Sequence, residues 1–340
     1  MSPLSALYDR ILEARAERYA TGRSRSSRLS RPVISVGNLT VGGTGKTPFV
    51  LHLAERFLLQ GRRPAILSRG YGRRSRDVVV VSKGDGPLVG PEEGGDEPVL
   101  LAERLRGAIV VVAPRRADAA RSAEAFAPDV FLLDDGFQHL SVRRDLDLLL
   151  LDASDPFGAG RYPPFGRLRE PLSALRRADG YVFTRSSAGH PTPDEVSTVV
   201  RANPAAPVFT ARIFPEGLTA PSGASAARPE RALAVCGIAT PASFLGSLAA
   251  IGIDPAEWLV FPDHRRYSER DVRRIVAAAK RSESAAVVTT EKDAVKLAGR
   301  LPLPLLTLRL KVEVHEKGFY PWIEERLFGS AETAPREGRP

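Results

Sequence analysis

The feature that most constrains the fold is a series of short apolar runs separated by stretches with helical spacing. From Arg31 onward, Val, Ile and Leu are concentrated in seven runs: 32–37, 64–68, 77–82, 108–114, 129–135, 145–153 and 180–185. Near-continuous apolar runs are typical of strands covered on both faces. Between them, helical spacing is found at 45–60, 97–106, 115–126, 170–178 and 194–203. The pattern predicts an α/β fold, a mostly parallel sheet with helices on both faces.

This periodicity is lost at 216–230, where small residues, Pro and Gly predominate, so we predict a linker there. Beyond it, "ALAVCGI", "EWLVFP", "AAVVTT" and "LLTLRLKV" predict strands, with helices near 241–251, 268–281 and 318–327. We therefore expect an N-terminal amphipathic helix and basic segment (1–30), a first domain (31–215), a smaller C-terminal α/β domain (231–328) and a frayed tail (329–340).

Composition limits the environment and the partners of the chain. The 340 residues include 49 Lys plus Arg against 40 Asp plus Glu, and the net charge of +9 favours acidic partners. The single cysteine, Cys236, excludes an intramolecular disulfide and fits a reducing compartment. No apolar run approaches the roughly 20 residues that span a bilayer. No basic-aromatic platform indicates nucleic acid, and nothing indicates an obligatory protein partner.

The segment "SVGNLTVGGTGKTP" (35–48) lies between the first predicted strand and the first predicted helix. It matches the phosphate-binding loop G-x-x-x-x-G-K-[ST] except that Thr40 replaces the first glycine. Lys46 is expected to bridge the β- and γ-phosphates of ATP, and Thr47 to ligate Mg²⁺. Hence we predict a P-loop NTPase-like domain in which Thr40 changes only the entry of the loop, and the glycines direct backbone amides at the phosphates. The predicted nucleotide-binding residues of the loop are Thr40, Val41, Gly42, Gly43, Thr44 and Gly45.

Charged residues follow two other predicted strands of the same sheet. In "DVFLLDDGFQH", Asp134 and Asp135 end a strand, and one of them is expected to hold Mg²⁺, although acidic residues there also serve as helix caps. In "LSRGYGRRSR", Arg69 and Arg73 follow the second strand and suit a substrate phosphate. The alternative for these two arginines is a solvated basic loop.

The N-terminal 21 residues place Leu4, Leu7, Tyr8, Ile11, Leu12 and Tyr19 on one helical face, with arginines off it. One interpretation is a helix that lies in a membrane interface, its arginines near anionic head groups. The other is a helix packed on the body of the protein. The pattern alone favours neither.

Together, several blocks resemble the tetraacyldisaccharide 4'-kinase family, which phosphorylates a lipid A precursor. These blocks are "SVGNLTVGGTGKTP", "LSRGYGR", "GGDEPVLLAERL", "LLDDGFQH", "GRLREPLSALRRAD", "FPDHRRY" and "VTTEKDAVKL", in family order from Val33 to Leu297. The resemblance implies transfer of the ATP γ-phosphate to the 4'-hydroxyl of an acylated disaccharide-1-phosphate. It also implies peripheral attachment to the anionic cytoplasmic face of a bacterial inner membrane.

The resemblance also implies roles for individual residues. Asp96 of "GGDEP" takes the position of the catalytic aspartate, and His264 of "FPDHRRY" that of its partner. From the residues alone, Asp96 would equally fit a helix N-cap and His264 an ordinary loop histidine. The remaining implied residues are Arg116 and Arg169 near the nucleotide, Glu170 as a second metal contact, Gln138 at phosphate or substrate, and His139, at the substrate or structural.

A different class also fits the loop, namely a deviant P-loop ATPase that acts by nucleotide-dependent dimerisation at a membrane. Such a protein would require a lysine at position 41, which is Val41 here. ATP turnover that depends on an acylated disaccharide phosphate would separate the kinase from this ATPase.

Overall fold

The computed structural model describes residues 3–184 and 191–329. The strands are β1 Val33–Asn38, β2 Pro64–Ser68, β3 Val79–Ser82, β4 Ile109–Val112, β5 Val130–Asp134, β6 Leu146–Asp152, β7 Gly180–Thr184, β8 Val208–Thr219, β9 Ser225–Ala226, β10 Ala232–Cys236, β11 Glu257–Val260, β12 Ala286–Thr290 and β13 Leu305–Val314. The α-helices are α1 Pro3–Ala20, α2 Lys46–Leu59, α3 Pro91–Gly94, α4 Asp96–Arg104, α5 Arg116–Glu124, α6 Pro193–Ala202, α7 Pro241–Ala250, α8 Glu269–Arg281, α9 Glu291–Leu297 and α10 Phe319–Phe328.

These strands form one sheet in the order β11-β10-β12-β13-β8-β7-β6-β1-β5-β2-β4-β3, with β9 paired to β8. Neighbouring strands are parallel except at β13–β8, β3–β4 and β8–β9. The predicted α/β class with a mostly parallel sheet is therefore confirmed.

Helices cover both faces of the first half of the sheet, as predicted. In β6, Leu148 and Leu150 pack in the core that contains α2, α4 and α10. Leu149 and Leu151 of the same strand pack on the opposite face, in the core that contains α6. Alternate side chains of one strand point to opposite faces, so a strand buried on both faces must be apolar at every position.

The predicted linker is wrong at its start, because residues 216–219 belong to β8. The beginning of β8 pairs in parallel with β7, and residues 211–219 pair with β13 in antiparallel register. Pro215 lacks a backbone N–H and Gly217 lacks a side chain, so the segment shows no strand pattern, and its pairing with β13 comes from the other backbone groups around a register shift. The two predicted α/β units therefore share one continuous sheet, and their division into two domains stays a prediction.

Two more predicted elements differ from the structure, and one lies outside it. The helix predicted at 170–178 is a short 3-10 helix at Leu172–Arg177. Helix α10, predicted in the C-terminal unit, packs into the core of the first unit, where Phe319 contacts Phe49 of α2. Beyond Gly329, the tail predicted as frayed lies outside the described residues.

Helix α1 contacts the body of the protein through its polar side chains and one aromatic ring. Tyr8 packs edge-on against Tyr162, with ring centroids 4.8 Å apart, while Asp9 accepts a hydrogen bond from the Tyr162 hydroxyl. Leu7 and Ile11 are 58% and 57% exposed, and the side chain of Leu4 lies outside the described part. The helix is therefore docked, and part of its predicted apolar face remains open to solvent.

Candidate active site

The loop between β1 and α2 has the backbone that a phosphate site requires. Gly42 and Gly45 have φ angles of 115° and 80°, in the region that favours glycine. A Cβ on Gly45 would lie 2.2 Å from Cδ1 of Ile213, so a side chain there would displace the end of that isoleucine, and the positive φ of Gly45 is the stronger reason for glycine. Helix α2 begins at the next residue, Lys46, and its N-terminus faces the loop.

Thr40 serves the entry of this loop rather than its phosphate-facing part. Its side chain is buried, and its backbone forms an isolated bridge with Leu168. Its carbonyl accepts a hydrogen bond from the Asn38 amide at 2.6 Å. The departure from the usual motif therefore falls where the loop is tied to its neighbours, and the glycines at 42, 43 and 45 are retained.

The amine of Lys46 lies beside the end of β5. Its Nζ is 3.5 Å from Oδ1 of Asp135, and Nη1 of Arg169 donates to both carboxylate oxygens of that aspartate at 2.9 and 2.8 Å. Burial would raise the pKa of Asp135, but Lys46 and Arg169 outweigh it and lower that pKa to about 2. The sequence-predicted residues Lys46, Asp135 and Arg169 thus form one ionic cluster.

Asp134 occupies the buried side of the same strand end. Its Oδ2 accepts a hydrogen bond from Ser68 at 2.9 Å, and its carbonyl accepts one from Arg116 at 3.1 Å. Burial, Glu97 and Asp135 raise the pKa of Asp134 to about 6. A crowded set of carboxylates at the edge of the phosphate loop favours a cation.

The donors at this edge suit Mg²⁺, because that ion prefers oxygen and usually combines one or two carboxylates with water and substrate phosphates. Asp134 and Asp135 supply carboxylate oxygens, and Thr47, the third residue of the predicted set, follows Lys46 at the start of α2. Within the ranges 3–184 and 191–329, no group of three or more His, Cys, Asp or Glu side chains is arranged to hold a metal ion by itself.

Three other predicted residues, Glu170, Gln138 and His139, differ in their surroundings. Glu170 is buried, and its carboxylate pairs with Arg177, so it is already engaged by an arginine. The Gln138 amide donates to the Asn38 carbonyl at 3.0 Å, at the end of β1. Burial and then the charge of Arg116 lower the pKa of His139 to about 4, which makes it a neutral, partly buried side chain near the cluster.

Two basic residues lie in the loop after β2, as predicted. Arg69 is exposed, and Nη1 of Arg73 donates to the carbonyl of Asp77 at 2.6 Å. Arg116 is almost completely buried, and burial lowers its pKa to about 10; Asp134 and Asp135 oppose this shift, whereas Arg69 and Arg73 add to it. These charges therefore lie close enough to influence one another at one edge of the sheet.

Asp96 and His264 are in contact although 168 positions separate them. Nδ1 of His264 lies 3.1 Å from Oδ2 of Asp96, and the two side chains are 22% and 8% exposed. Burial would raise the pKa of Asp96, but His264, Lys292 and Lys296 together lower it. Asp96 is the first residue of α4, and the N-cap position itself is taken by Gly95. Oδ1 of Asp96 accepts a hydrogen bond from the backbone amide of Glu97 at 3.0 Å, so the carboxylate contacts both the first turn of α4 and His264.

The "GGDEP" turn is pressed against the loop that carries Arg69 and Arg73. Gly95 has a φ of 91°, and a Cβ on it would lie 3.0 Å from Cα of Gly70. The next acidic residue, Glu97, is close enough to Asp134 for its charge to raise the pKa of that aspartate. The Asp96 turn therefore lies at the same sheet edge as the phosphate loop.

Sequence reasoning missed three residues around His264. Nζ of Lys292 lies 3.0 Å from Nε2 of His264, and Nζ of Lys296 lies 3.5 Å from Oδ2 of Asp96. The ring of Tyr71 packs on the imidazole, with centroids 4.6 Å apart. The lysines occur in the block "VTTEKDAVKL", and their i, i+4 spacing on a capped helix is the signal that could have revealed them.

The parallel sheet, the glycine-rich loop ahead of α2 and the aspartates at the end of β5 define a P-loop nucleotide-binding protein of the α/β class. Residues 1–327 match the LpxK family, tetraacyldisaccharide-1-P 4'-kinase. The chain belongs to this family.

Similar proteins agree with that membership. The tetraacyldisaccharide 4'-kinase of Geobacter sulfurreducens is 43% identical over 300 residues, covering 87% of this chain and 83% of the relative. That of Anaeromyxobacter dehalogenans strain 2CP-C is 46% identical over 289 residues, covering 82% and 76%. A crystal structure of LpxK from Aquifex aeolicus in complex with ATP is 34% identical, with a TM-score of 0.78 over 96% of this chain and 98% of that one.

Proposed function

We propose that this chain transfers the γ-phosphate of ATP to the 4'-hydroxyl of an acylated disaccharide-1-phosphate, a lipid A precursor. The observation that carries this proposal is the buried carboxylate of Asp96, paired with His264 at the edge of the sheet that holds the phosphate loop. A protein that only binds and hydrolyses nucleotide to dimerise does not need a base directed at a second substrate. A kinase for a sugar hydroxyl does.

The proposed reaction is an in-line displacement. The 4'-oxygen of the sugar forms a bond to the γ-phosphorus while the bond from that phosphorus to the β,γ-bridging oxygen breaks, and ADP leaves with that bonding pair. The hydroxyl proton passes to a carboxylate oxygen of Asp96. His264 holds this carboxylate by its Nδ1, and the low pKa of Asp96 keeps it able to accept the proton near neutral pH.

The phosphate-loop residues stabilise the phosphate charges. Lys46 and the backbone amides of residues 42–45 would contact the phosphate oxygens. Arg169 is paired with Asp135, the same carboxylate that Lys46 faces, so its charge lies next to this site. Thr47, Asp134 and Asp135 would hold Mg²⁺, which when bound offsets the phosphate charge. Glu170 stays a candidate metal contact, and Arg69, Arg73, Arg116, Gln138 and His139 stay candidates for binding nucleotide or the substrate phosphate.

The proposal is tested with Asp96→Asn, which preserves shape but removes the proton acceptor. Turnover of ATP is measured with the acylated disaccharide phosphate, with DNA and with neither. We expect kcat to fall by roughly 10²–10⁴-fold, with little change in the KM for ATP. Turnover that needs no lipid acceptor would favour the dimerising ATPase. Unchanged specific activity in a less stable Asp96→Asn variant would instead make Asp96 a structural residue.

We further propose that the enzyme works at the anionic cytoplasmic face of the inner membrane. Across residues 3–184 and 191–329, no helix combines the length and apolar character that a bilayer crossing requires. Exposed Leu7 and Ile11 on α1, followed by arginines, support a reversible contact. Deleting residues 1–22 should weaken binding to anionic vesicles and raise the KM for lipid but not for ATP. Equal vesicle binding by the truncated chain would refute this.

A further inference from the structure

The imidazole of His264 lies between two groups of opposite hydrogen-bonding character. On one side, Nδ1 faces Oδ2 of Asp96 at 3.1 Å; on the other, Nε2 faces Nζ of Lys292 at 3.0 Å. When it is ionised, the carboxylate of Asp96 accepts hydrogen bonds and donates none. An ammonium group donates hydrogen bonds and accepts none. The two ring nitrogens of His264 therefore face incompatible demands unless each takes a different role.

Lys292 is charged in this setting. Its side chain is 15% exposed and lies 3.1 Å from Oδ1 of Asp263 and 3.5 Å from Oε1 of Glu97. Burial would lower the pKa of Lys292, but Glu97, Asp96 and Asp263 outweigh burial and raise it. Its amine is therefore an ammonium group and needs acceptors.

We propose that Lys292 is a positioning residue that holds His264 as the neutral tautomer with its proton on Nδ1. In that form, Nε2 accepts a hydrogen bond from Lys292, and Nδ1–H donates to Asp96. Every group in the chain Lys292, His264, Asp96 is then satisfied. The opposite tautomer would set a proton on Nε2 against the ammonium and leave Nδ1 facing the carboxylate with two lone pairs opposed. This inference deepens the proposed function and rests on it.

The tautomer has a consequence for the base. With Nε2 occupied by Lys292, His264 has no free nitrogen to take the substrate proton, so that proton stays on Asp96. Lys296, one helical turn further along α9, adds a second cation 3.5 Å from Oδ2 of Asp96 and is itself held by Asp293 at 2.8 Å. Helix α9 thus contributes two cations that favour the ionised carboxylate. Both reach the base only because α9 packs beside α4.

The charged and titratable groups around this chain come from several elements. Helix α4 contributes Asp96 and Glu97, α9 contributes Lys292 and Lys296, and the loop after β11 contributes Asp263. The remaining groups line the adjoining cleft: Tyr71, Glu92, Arg266, Tyr267 and Arg300. Removing Lys292 subtracts one positive charge from the surroundings of Asp96. The acid limb of kcat/KM, which reports ionisation of the base in the free enzyme, should then move to higher pH.

The direct test uses the full-length protein labelled with ¹⁵N only at histidine. The five histidines give few signals, and the His264→Gln spectrum identifies the one that belongs to His264. Nitrogen shifts distinguish the protonated from the unprotonated ring nitrogen. We expect Nδ1–H and bare Nε2 in the wild type, and a changed tautomer population in Lys292→Met. Nε2–H in the wild type would overturn the proposal, whatever the folding of any variant.

The second test is kinetic and compares Lys292→Met and Lys292→Arg with the wild type. The control variant is Lys280→Met, a substitution at an exposed position of α8. We expect Lys292→Met to lower kcat roughly tenfold, less than the roughly 10²–10⁴-fold loss of the base itself. It should shift the acid limb upward and leave the KM for ATP unchanged. Lys292→Arg retains a cationic donor and should recover part of the loss. Lys280→Met should match the wild type, and a Lys292→Met pH profile identical to the wild type would contradict the proposal.

This test is separable from that of the proposed function. If Asp96→Asn retains full activity, the assignment of Asp96 as the base of the kinase fails. The NMR result for the proton on Nδ1 of His264 is independent of that outcome. If Asp96→Asn is inactive but His264 carries its proton on Nε2, only the role of Lys292 fails.

Discussion

Arg104 joins three helices of the site, and its replacement by methionine is a sharp test of how the site is assembled. At the end of α4, its Nη2 donates to Oε1 of Glu55 on α2 at 3.1 Å, and its Nη1 pairs with Glu291. Glu291 is the first residue of α9 and directly precedes Lys292. Arg104→Met keeps most of the apolar stem and removes the charge that links three helices: α2 after the phosphate loop, α4 with the proposed base Asp96, and α9 with Lys292 and Lys296.

The expected cost follows from the exposure of the pair. Removing one partner of a fully buried ion pair costs roughly 3–5 kcal/mol. Arg104 and Glu291 are 15% and 11% exposed, and Glu55 is 43% exposed, so water can partly solvate what remains. We therefore expect Arg104→Met to lower the free energy of unfolding by about 2–3 kcal/mol. At about 2 °C per kcal/mol for a chain of this size, Tm should fall by roughly 5 °C.

The loss should depend on pH in a stated direction. Burial raises the pKa of Glu291, and Arg104 offsets only part of that increase. A carboxyl whose folded pKa is raised stabilises the fold at low pH and loses that contribution as pH rises through the folded pKa. Without Arg104 the folded pKa of Glu291 rises further. The deficit of Arg104→Met relative to the wild type should therefore be smaller at acid pH than at neutral pH.

The measurement is chemical unfolding of both proteins at acid and neutral pH, with a double-mutant cycle that adds Glu291→Gln. The control is Arg281→Met, which breaks a pair with Glu257 in which the arginine is 63% exposed and should cost at most about 1 kcal/mol. In turnover assays, kcat should fall for Arg104→Met because one of the contacts that fix α9 beside α4 is lost. Additive losses in the cycle, or an equal deficit at both pH values, would refute the reasoning.

Three further outcomes are expected. Gly45→Ala should lower the free energy of unfolding by about 1–2 kcal/mol because of the left-handed backbone at this position, and it should weaken ATP binding. Adding Ile213→Val removes the Cδ1 atom that the new Cβ would meet. The double variant should therefore recover only the share of the stability loss that this clash causes. His52 contacts Tyr320, and burial with nearby Arg56 lowers its pKa to about 4, so stability is lost as pH falls from 6.5 towards 4. His52→Gln should show a flatter stability profile across that interval in acid titrations. Lys46→Ala should abolish phosphoryl transfer while its melting temperature stays close to that of the wild type.

The amino-acid sequence determined the features that depend on local geometry. Apolar runs without alternation indicated strands covered on both faces, and Leu148 to Leu151 pack accordingly in two opposite cores. The glycines before Lys46 indicated a turn that only glycine can form, and Gly45 has the required positive φ. These predictions succeed because backbone preference and side-chain period are properties of neighbouring residues.

Strand β8 shows where such reasoning fails. Its second half contains Pro215 and Gly217 and lacks a strand pattern, yet it pairs with β13 through its backbone. The hydrogen-bond partners of its backbone groups lie on a strand that is remote in the sequence, so the local pattern of residues cannot reveal them. The exposed Leu7 and Ile11 on α1 are a similar case, since the same spacing fits a packed helix and a membrane-facing one.

The contacts around the proposed base Asp96 were decided only by tertiary structure. Asp96 and His264 are 168 positions apart, and Lys292 lies 28 positions beyond His264. Nothing in the local sequence of any of the three requires the other two. A resemblance could pair Asp96 with His264, but the role of Lys292 depends on which ring nitrogen it faces. That geometry exists only where α4, α9 and the loop after β11 pack together, because a pKa and a tautomer respond to distances in space and not to separation along the chain.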